Sequence, residues 1–467
     1  MTGNASHWFV DRQVAEGRGD KVAFREAGSG REITYAELAG QTDMVAGGLI
    51  RAGIRREERA AMFVTDRIEF PLIFWGAIKA GVNPVPLNTL LTTGTYRAIL
   101  RDSRAAIAFV SAALWDSVAP ALADAPDLRH VVVVGGAAED ARDFEAFLEG
   151  APPAAAIDAS GDEVAFWLYS SGSTGQPKGV RHVHDALRST CDTYGARVLG
   201  MREDDVVFSA AKLFFAYGLG NAMSFPMSVG ATTILFDGRP TPDSVTEVLA
   251  RHRPTIFCGV PTLYTAMLHK WDGDGGQPDA PLRVCISAGE ALPAEIGRKW
   301  RDRWGVDILD GVGSTAMLHI FLSNRPGDVA YGTSGTPVPG YEVRLLGEDG
   351  GEVSDGEVGE LLVRGGSAAA DYWLQRAKSR GTFEGEWTRT GDKYERRPDG
   401  RFAYCGRTDD MFKVSGIWVS PFEVEMALTA HPDVLEAAVV PDRDDEGLEK
   451  PRAFVVLKPG RSSDGLA

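Results

Sequence analysis

The sequence predicts an α/β protein with a large N-terminal domain of helix-covered sheets, a β-rich subdomain, and a small α+β C-terminal domain. Two long stretches, 21–150 and 164–309, alternate short apolar runs with amphipathic helical patterns, which is typical of parallel sheets covered by helices. From about Tyr341, short alternating strands and Gly-rich turns take over. Near residue 409 a polar stretch precedes a compact unit. We therefore expect an N-terminal domain over 1–408 and a C-terminal domain over 409–467.

Local patterns predict the elements of the first stretch. Apolar triplets at 22–24 and 33–35 flank Gly-Ser-Gly at 28–30, a hairpin signal. A helix follows, whose predicted apolar face consists of Leu38, Thr42, Val45, Leu49 and Ile50. Further elements are expected as a helix at 68–79 and strands at 60–64, 82–87, 107–110 and 131–134.

The second stretch contains the strands on which a site would be built. Buried strands are predicted at 164–168, 206–209, 232–236, 256–258, 284–287 and 306–309. Ligands of open α/β sheets collect at the carboxyl ends of the strands, so we expect functional residues directly after them. Later elements are expected as a helix at 421–429 and strands at 341–346, 360–363, 435–440 and 453–457. Residues 460–465 form a loop-like sequence that closes no element, so the chain is expected to end inside the small domain.

Composition and charge limit the kinds of molecule that the protein is expected to bind. The net charge is -16 and no run of basic residues occurs, which makes nucleic acid and anionic membranes poor partners. Residues 1–9 lack the features of a signal peptide, and no apolar run approaches the length of a spanning helix. The four scattered cysteines are expected to be core thiols in a reducing compartment, hence a cytoplasmic protein. The oligomeric state cannot be read from these features.

The most informative stretch is 169–180, Tyr-Ser-Ser-Gly-Ser-Thr-Gly-Gln-Pro-Lys-Gly-Val. An apolar run before it predicts a strand, and apolar residues at steps of three and four after it predict a helix. A loop of this composition presents N–H groups and hydroxyls to phosphate oxygens, and Lys178 adds charge. A flexible linker is the alternative, but a linker has little use for Pro-Lys-Gly or for a buried strand. Pro177 and Gly179 exclude the P-loop of NTPases.

Three segments that follow predicted strands combine small, aromatic and polar residues. Residues 210–221, Ala-Ala-Lys-Leu-Phe-Phe-Ala-Tyr-Gly-Leu-Gly-Asn, leave room for a flat ring, although such clusters are commonly core. Residues 287–293 form either a Gly-bearing turn that approaches a flat base or ring, or an ordinary strand-to-helix turn. Residues 310–321, Asp-Gly-Val-Gly-Ser-Thr-Ala-Met-Leu-His-Ile-Phe, place His319 in an apolar run, where either a core histidine or a ligand-contacting one fits.

These segments, in this order, resemble the adenylate-forming superfamily of acyl- and aryl-CoA ligases, peptide-synthetase adenylation domains and firefly luciferase. The segments 210–221 and 317–319 resemble benzoate-type aryl-CoA ligases in particular. The resemblance implies ATP, Mg²⁺, coenzyme A and a small aromatic carboxylic acid as reactants and cofactors. The carboxylate would attack the α-phosphorus to give aryl-AMP and pyrophosphate, and the CoA thiol would then displace AMP. Benzoate, 2-aminobenzoate and hydroxybenzoate are the expected acids.

The resemblance also assigns residues. It implies catalytic roles for Thr174, Lys178 and Thr315. The implied nucleotide- and cofactor-binding residues are Ser170, Ser171, Gly172, Ser173, Gly175, Gly289, Glu290, Ala291, Asp310, Gly311, Asp392, Arg407 and Gly416. The implied aryl-pocket residues are Ala210, Phe215, Ala216, Tyr217, Gly313, His319 and Ile320. Asp392 and Arg407 resemble the ribose clamp, and Asp409 resembles the hinge about which a mobile C-terminal domain swings.

Two departures from the family pattern leave the activity open. Ala316 stands where the family has a Glu that helps to hold Mg²⁺, and a methyl group cannot ligate this cation. It is either natural divergence, with water or phosphates completing the metal shell, or an introduced substitution. The C-terminal lysine of the family is expected to be absent, because Lys450 and Lys458 lie too early. The alternatives are an enzyme that loads an aryl acid onto a carrier protein and a non-catalytic adenylate-binding protein.

Overall fold

The structure is a computed structural model that describes residues 3–138, 141–171, 177–274, 278–408, 410, 412–414, 417–429, 431, 433–443, 449–458 and 461. It divides into two compact units, the first formed by Met1–Glu342 and Arg364–Thr388 and the second by Val343–Val363 and Arg389–Ala467. The expected boundary between 408 and 409 lies within the second unit and stays a prediction. Among the described residues, no helix combines the length and apolar character that a membrane crossing needs.

The described strands cover most of the predicted ones. They are β1 (Val22–Glu26), β2 (Glu32–Thr34), β3 (Arg59–Phe63), β4 (Asn83–Pro86), β5 (Ala105–Ser111), β6 (His130–Val134), β7 (Arg142–Asp143), β8 (Val164–Ser171), β9 (Pro177–Val183), β10 (Val206–Ser209), β11 (Thr232–Leu235), β12 (Ile256–Gly259), β13 (Val284–Ser287), β14 (Ile308–Gly313), β15 (Ile320–Ser323), β16 (Thr336–Pro337), β17 (Glu342–Leu346), β18 (Val358–Arg364), β19 (Asp371–Tyr372), β20 (Phe383–Glu384), β21 (Trp387–Arg396), β22 (Phe402–Arg407), β23 (Phe412–Val414), β24 (Ile417–Val419), β25 (Val434–Arg443) and β26 (Glu449–Leu457).

The α-helices alternate with these strands. They are α1 (Arg12–Ala15), α2 (Tyr35–Arg51), α3 (Glu69–Lys79), α4 (Thr93–Ser103), α5 (Trp115–Leu122), α6 (Phe144–Leu148), α7 (His184–Thr190), α8 (Ala216–Leu219), α9 (Phe225–Val229), α10 (Pro242–His252), α11 (Pro261–Asp274), α12 (Ala294–Trp304), α13 (Arg376–Thr382) and α14 (Pro421–Thr429). Short π-helical turns occupy His7–Asp11, Cys191–Gly195 and Gly220–Ser224, and 3-10 turns occupy Ala112–Leu114 and Thr315–Met317.

The first unit is built on two largely parallel sheets, as the alternating pattern predicts. In the larger sheet the order is β16-β15-β14-β13-β12-β10-β11-β1-β2, and the strands from β14 to β1 are parallel. In the smaller sheet, β4-β3-β5-β6-β7, every pair is parallel. Two parallel sheets place two sets of strand carboxyl ends within the same unit.

The helix that follows the first hairpin is α2, and its predicted apolar face is confirmed except at one residue. Thr34 caps α2 by accepting a hydrogen bond from the backbone N–H of Glu37, whose side chain in turn binds the Thr34 backbone. The predicted face is buried as expected, with the exception of Ile50, which is 51% exposed. Ile50 was wrongly assigned because Leu49, next to it, already occupies the buried stripe, and adjacent helical positions lie about 100° apart.

Two antiparallel strands contain the described ends of the stretch 169–180. Residues Pro177–Val183 form β9, which pairs antiparallel with β8, and β19 joins β9 on its other edge. The predicted strand–loop–helix order is therefore wrong, because a strand comes between the loop and α7. Val180 and His182 are buried while Arg181 between them is half-buried, a period of two that favours a strand over a helix.

Apolar clusters hold the helices on the two sheets. Under the larger sheet, Phe257, Tyr264, Trp271 and Trp300 pack together among the helices α10 to α12. The four cysteines are buried thiols, as expected. Core packing of this kind fixes the strand ends that carry the site.

The second unit is described by itself. Its sheet contains β17, β18, β21 and β22, and the two-stranded sheets β23-β24 and β25-β26 complete it with α14. The predicted helix at 421–429 and both late strands are confirmed.

Candidate active site

The three predicted segments converge at one edge of the larger sheet. β10, β12, β13 and the start of β14 are neighbouring parallel strands, with Ser209 beside Cys258, Gly259 beside Ser287, and Ser287 beside Asp310. Their carboxyl ends therefore lie together, and the residues after β10, β13 and β14 border one space. The expectation that ligand-binding residues follow these strands agrees with this arrangement.

Tyr217 ties the strand ends together. Its hydroxyl lies 3.1 Å from the carbonyl oxygen of Gly259 and 3.2 Å from that of Ile286, so it donates across β12 and β13. Tyr217 begins the first turn of α8 with Ala216. The ring is thus held at both the backbone and the hydroxyl, which makes it a fixed wall.

His319 packs against three aromatic rings. Its ring centroid lies 4.5 Å from that of Phe225, 5.2 Å from that of Tyr194 and 5.8 Å from that of Tyr217. The residue is buried. Rings that meet at these distances and tilted angles form a rigid aromatic surface.

The protonation state of His319 follows from its contacts. Burial lowers its pKa to about 3, so the ring is neutral near pH 7. Nε2 lies 3.3 Å from the carbonyl oxygen of Tyr217, which can only accept, so Nε2 carries the hydrogen. Nδ1 is then an acceptor, and it has no hydrogen-bond partner in the described part of the chain.

Two glycines set how close His319 can approach. A Cβ on Gly220 would lie 2.4 Å from Cδ2 of His319, and one on Gly313 would lie 2.5 Å from the His319 carbonyl oxygen. Both distances are shorter than real contacts allow. Because Gly313 has no side chain, the backbone of His319 can lie this close to it.

The other aryl-pocket residues differ in exposure. Ala210 and Ile320 are buried, Ala216 is half-buried, and Phe215 is 48% exposed with its ring 4.6 Å from that of Phe214. The small side chains thus line the interior, while Phe215 lies where the segment meets solvent.

The turn after β13 is open to solvent. Gly289 has a φ of +96°, which favours glycine, and Gly289 and Glu290 are exposed while Ala291 is half-buried. No described atom lies within 4 Å of the position that a Cβ on Gly289 would take. A flat group could therefore lie against this backbone.

Buried polar atoms without partners lie on the strands and segments that border this space. Within the described residues, no hydrogen bond is made by Oδ1 of Asp310, Oγ of Ser287 or the side-chain amide of Asn221. Burial raises the pKa of Asp310 well above its ordinary range, and the N–H of Leu292, the nearby hydroxyl of Ser287 and the N–H of Gly311 offset this only in part. Buried polar groups are normally bonded, so these atoms fit a polar ligand that supplies the partners.

The turn at Thr315 lacks an anionic ligand for a metal. Ser314 caps the 3-10 turn by accepting from the N–H of Met317 at 3.2 Å, and the buried Ala316 carbonyl accepts from the N–H of Ala369 at 2.8 Å. No group of three or more His, Cys, Asp or Glu side chains suited to a metal occurs among the described residues. The residues at this turn do not fit Mg²⁺ by themselves.

Of the stretch 169–180, the structure describes the two ends, where β8 and β9 pair. Ser170 lies opposite Lys178, and Ser171 lies opposite Pro177. The Lys178 amine lies 4.4 Å from the ring centroid of Tyr372. Gly172, Ser173, Thr174 and Gly175 lie outside the described residues.

In the second unit, Asp392 and Arg407 meet across β21 and β22. Nη1 of Arg407 donates to Oδ1 of Asp392 at 2.9 Å. Burial raises the pKa of Asp392, and Arg407 opposes that rise. The structure thus brings together the two residues that the sequence paired as a ribose clamp. Asp409, expected to be the hinge, and Gly416, expected to bind the cofactor, lie outside the described residues.

Sequence reasoning missed three contributors to the site. Tyr194 and Phe225 surround His319, and Asn221 lies in the π-helical turn between α8 and α9. Asn221 closes the motif 210–221, and π-helical turns are frequent at functional sites, but a π turn has no local sequence signal. Tyr194 is one of the apolar residues at steps of three and four that predict the helix after the stretch 169–180, and that pattern does not indicate a place in a site.

Family profiles match most of the chain. The profile of the AMP-binding enzyme matches residues 10–373, and that of the AMP-binding enzyme C-terminal domain matches 423–467.

Curated relatives and solved structures are similar over nearly the whole chain. A 4-hydroxybenzoate–CoA/benzoate–CoA ligase of Rhodopseudomonas palustris is 54% identical over 97% of this chain and 84% of its own length. A benzoate–CoA ligase of Thauera aromatica is 52% identical over 98% of this chain and 86% of its own length. The crystal structure of the anthranilate CoA ligase AuaEII with anthranoyl-AMP superposes with a TM-score of 0.94 at 41% identity, covering 99% of this chain and 88% of that one.

The matched profiles and relatives agree with the order of the motifs and with the strand ends that carry them. The chain belongs to the AMP-binding enzyme family, the adenylate-forming superfamily, and within it resembles benzoate-type aryl-CoA ligases.

Proposed function

We propose that the protein is an ATP-dependent aryl-CoA ligase for benzoate or a small substituted benzoate. A carboxylate oxygen of the acid attacks the α-phosphorus of ATP, the bond to pyrophosphate breaks, and aryl-AMP forms. The thiol sulfur of coenzyme A then attacks the acyl carbon, and AMP leaves. The observation that carries the proposal is the rigid aromatic wall of Tyr217 and His319 beside buried, unpartnered polar atoms.

The aromatic wall suits a flat, uncharged ring. Neutral His319 brings no charge to an apolar substituent, while its Nδ1 can accept a hydrogen bond from a hydroxyl or an amine on the ring. Ala210 and Gly313 keep the space ring-sized. A long acyl chain would have to pass the fixed Tyr217 ring, so a fatty acid is a poor fit.

Nucleotide recognition is assigned to the polar atoms beside the ring site. Asp310 and Ser287 offer hydrogen bonds to the base, Gly289 to Ala291 offer an open backbone for its face, and Thr315 offers a hydroxyl to the α-phosphate. Ser170 and Lys178 belong with the phosphate loop, and Asp392 with Arg407 would bind the ribose hydroxyls. Preorganised donors of this kind lower a barrier mainly by positioning and electrostatics. Participation of Mg²⁺ and a cytoplasmic location stay predictions.

Pyrophosphate release with a panel of acids tests the proposal. Benzoate, 2-aminobenzoate and 4-hydroxybenzoate are expected to support release, and a medium-chain fatty acid is not. A preference for the fatty acid would overturn the aryl assignment, and no aryl-AMP from any acid would favour the non-catalytic alternative. Offering free CoA and a holo carrier protein as acceptors separates the ligase from a carrier-loading enzyme, because only the true acceptor becomes acylated.

A further inference from the structure

The segment that carries the aryl pocket is anchored at its start by Lys212. The Lys212 amine donates to the carbonyl oxygens of Phe236 and Gly238, the latter at 2.7 Å, and lies 5.0 Å from the Phe236 ring centroid. The Lys212 carbonyl accepts from the N–H of Phe215 at 3.0 Å. A Cβ on Gly218 would lie 2.0 Å from that same carbonyl oxygen. The shape of the segment therefore depends on where Lys212 sits.

The next residue is held from the other parallel sheet. Asp66 follows β3 and is 5% exposed, and its two carboxylate oxygens lie 3.2 and 3.3 Å from the backbone nitrogen of Leu213. The two residues are 147 positions apart. This carboxylate is thus a direct link between the end of the smaller sheet and the pocket segment of the larger one.

Burial and the charges around Asp66 make the hydrogen bond between Asp66 and Leu213 sensitive to pH. Lys212 attracts the carboxylate and the exposed Asp237 repels it, and among the described residues these are the charged groups that shift its pKa. Burial raises the pKa of Asp66 to about 6, with the Lys212 charge and the Leu213 N–H opposing the rise. Burial lowers the pKa of Lys212, and the two carboxylates oppose that shift.

We propose that Asp66 is a positioning residue of the aryl-acid site, holding the segment from Lys212 to Tyr217 in the shape that receives the ring. The proposal rests on the proposed aryl-acid function. Ionised Asp66 accepts a charge-assisted hydrogen bond, which is roughly twice as strong as a neutral one, and balances the ammonium of Lys212. When Asp66 is protonated, the Leu213 contact weakens and the Lys212 charge loses its counterpart. Affinity for the acid therefore falls as the pH drops below about 6.

The test compares Asp66→Asn and Asp66→Glu in the full chain. In Asp66→Asn, we expect KM for benzoate to rise about tenfold, with kcat changed less than about threefold and KM for ATP less than about twofold. In the wild type, KM for benzoate is expected to rise on the acid side of a profile from about pH 5 to 8, whereas in Asp66→Asn that rise is absent. Asp66→Glu is expected to restore part of the affinity.

Asp205→Asn is the matched control. Asp205 is also buried and bonded, but it precedes β10 at the opposite end of the strand, so its loss should lower the melting temperature and leave KM for benzoate unchanged. If Asp66→Asn behaves like this control, or raises KM for ATP as much as KM for benzoate, or keeps the acid-side rise, Asp66 is only structural and the proposal is overturned.

A second variant covers the case in which Asp66→Asn folds poorly. Lys212→Met removes the amine that anchors the start of the segment, so we expect it to raise KM for benzoate as Asp66→Asn does, and the effects of the two substitutions to be less than additive because both act on one segment. A Lys212→Met variant that keeps the wild-type KM for benzoate would contradict the role given to the segment. If the wild type releases no pyrophosphate with any aryl acid, the proposed function fails, and benzoate binding measured by calorimetry on the wild type and Asp66→Asn still decides the role of Asp66.

Discussion

Two buried aspartates at opposite ends of the larger sheet differ in what surrounds them. At the amino ends of the strands, Asp205 is 3% exposed and accepts from Oγ1 of Thr255 at 2.7 Å, Nε of Arg283 at 2.7 Å and the N–H of Arg202 at 2.8 Å. At the carboxyl ends, Asp310 is 6% exposed, and its Oδ1 bonds to no described residue. At the amino ends of the strands, the protein itself supplies the hydrogen bonds of the buried carboxylate. At the carboxyl ends, a carboxyl oxygen is left to bond to a ligand.

The pKa values of the two carboxyls diverge for the same reason. Burial alone would raise the pKa of Asp205, but the hydrogen bonds from Arg283 and Thr255 outweigh it and hold the pKa below its ordinary value. At Asp310, burial dominates and the pKa is raised well above its ordinary range. A buried carboxyl whose hydrogen bonds outweigh its burial is a structural group, and one whose hydrogen bonds do not is a candidate for ligand recognition.

Asp205→Ala is expected to have the largest effect of the substitutions considered. Removing one partner of a buried ion pair leaves Arg283 uncompensated, which costs about 3–5 kcal/mol of folding free energy. Chemical denaturation of the variant measures this loss, while KM for ATP stays unchanged. Asp204→Ala is the control, because Asp204 is exposed and should shift stability by no more than about 0.5 kcal/mol. Equal free energies of unfolding for Asp205→Ala and Asp204→Ala would contradict the structural role given to Asp205.

Ala316→Glu adds a carboxylate to the ligand end of the sheet. An oxygen ligand suits Mg²⁺, so we expect pyrophosphate release to accelerate about tenfold to a hundredfold, which is about 1.4–2.7 kcal/mol of barrier. Half-maximal rate should also be reached at a lower Mg²⁺ concentration. Ala316→Gln provides an oxygen without the charge and serves as the control. A Gln variant as fast as the Glu variant would argue against a charge effect.

Asp310→Ala repeats at the ligand end the substitution made at Asp205. Stability is expected to stay within about 1 kcal/mol of the wild type, because the hydrogen bonds to Asp310 offset its burial only in part, so that removing the carboxyl costs little. KM for ATP is expected to rise about tenfold, or about 1.4 kcal/mol. Steady-state kinetics and denaturation are measured together, with Asp310→Asn as the conservative variant that retains hydrogen-bonding atoms. A large stability loss with unchanged KM would make Asp310 structural too.

The pH dependence of stability should have opposite signs at the two sites, because the two pKa values are shifted in opposite directions. The pKa of Asp205 is lowered in the folded state, so its stabilisation is present above the unfolded value of about 3.9 and is lost as the pH falls through the folded one. The pKa of Asp310 is raised, so the folded state retains a proton that the unfolded state has released, and stability falls as the pH rises above about 4.

Denaturation of Asp205→Asn, Asp310→Asn and the wild type across the pH range checks both signs. The free energy of unfolding of the wild type should exceed that of Asp205→Asn by less as the pH falls. Relative to Asp310→Asn, the free energy of unfolding of the wild type should decrease as the pH rises. Parallel curves for all three proteins would contradict both assignments.

Most of the fold could be predicted from local patterns. Each buried parallel strand of the larger sheet has near-continuous apolar character, so the positions of β10 to β13 were predicted closely, whereas β14 runs to Gly313, beyond its predicted end at 309. The hairpin formed by β8 and β9 was missed, because Arg181 and His182 look polar in the sequence while His182 is buried in the structure. A buried histidine conceals the period of two that distinguishes a strand.

The sequence by itself determined the order of the motifs and the strands they follow, because these depend on neighbouring residues and regular spacing. The resemblance to the family added the pairing of Asp392 with Arg407. Only the tertiary structure decided that Tyr194 and Phe225 enclose His319, that Asp310 is left without a partner for Oδ1, and that Asp66 reaches Leu213. Such contacts join residues far apart in the chain. Packing sets their geometry, and no local pattern encodes it.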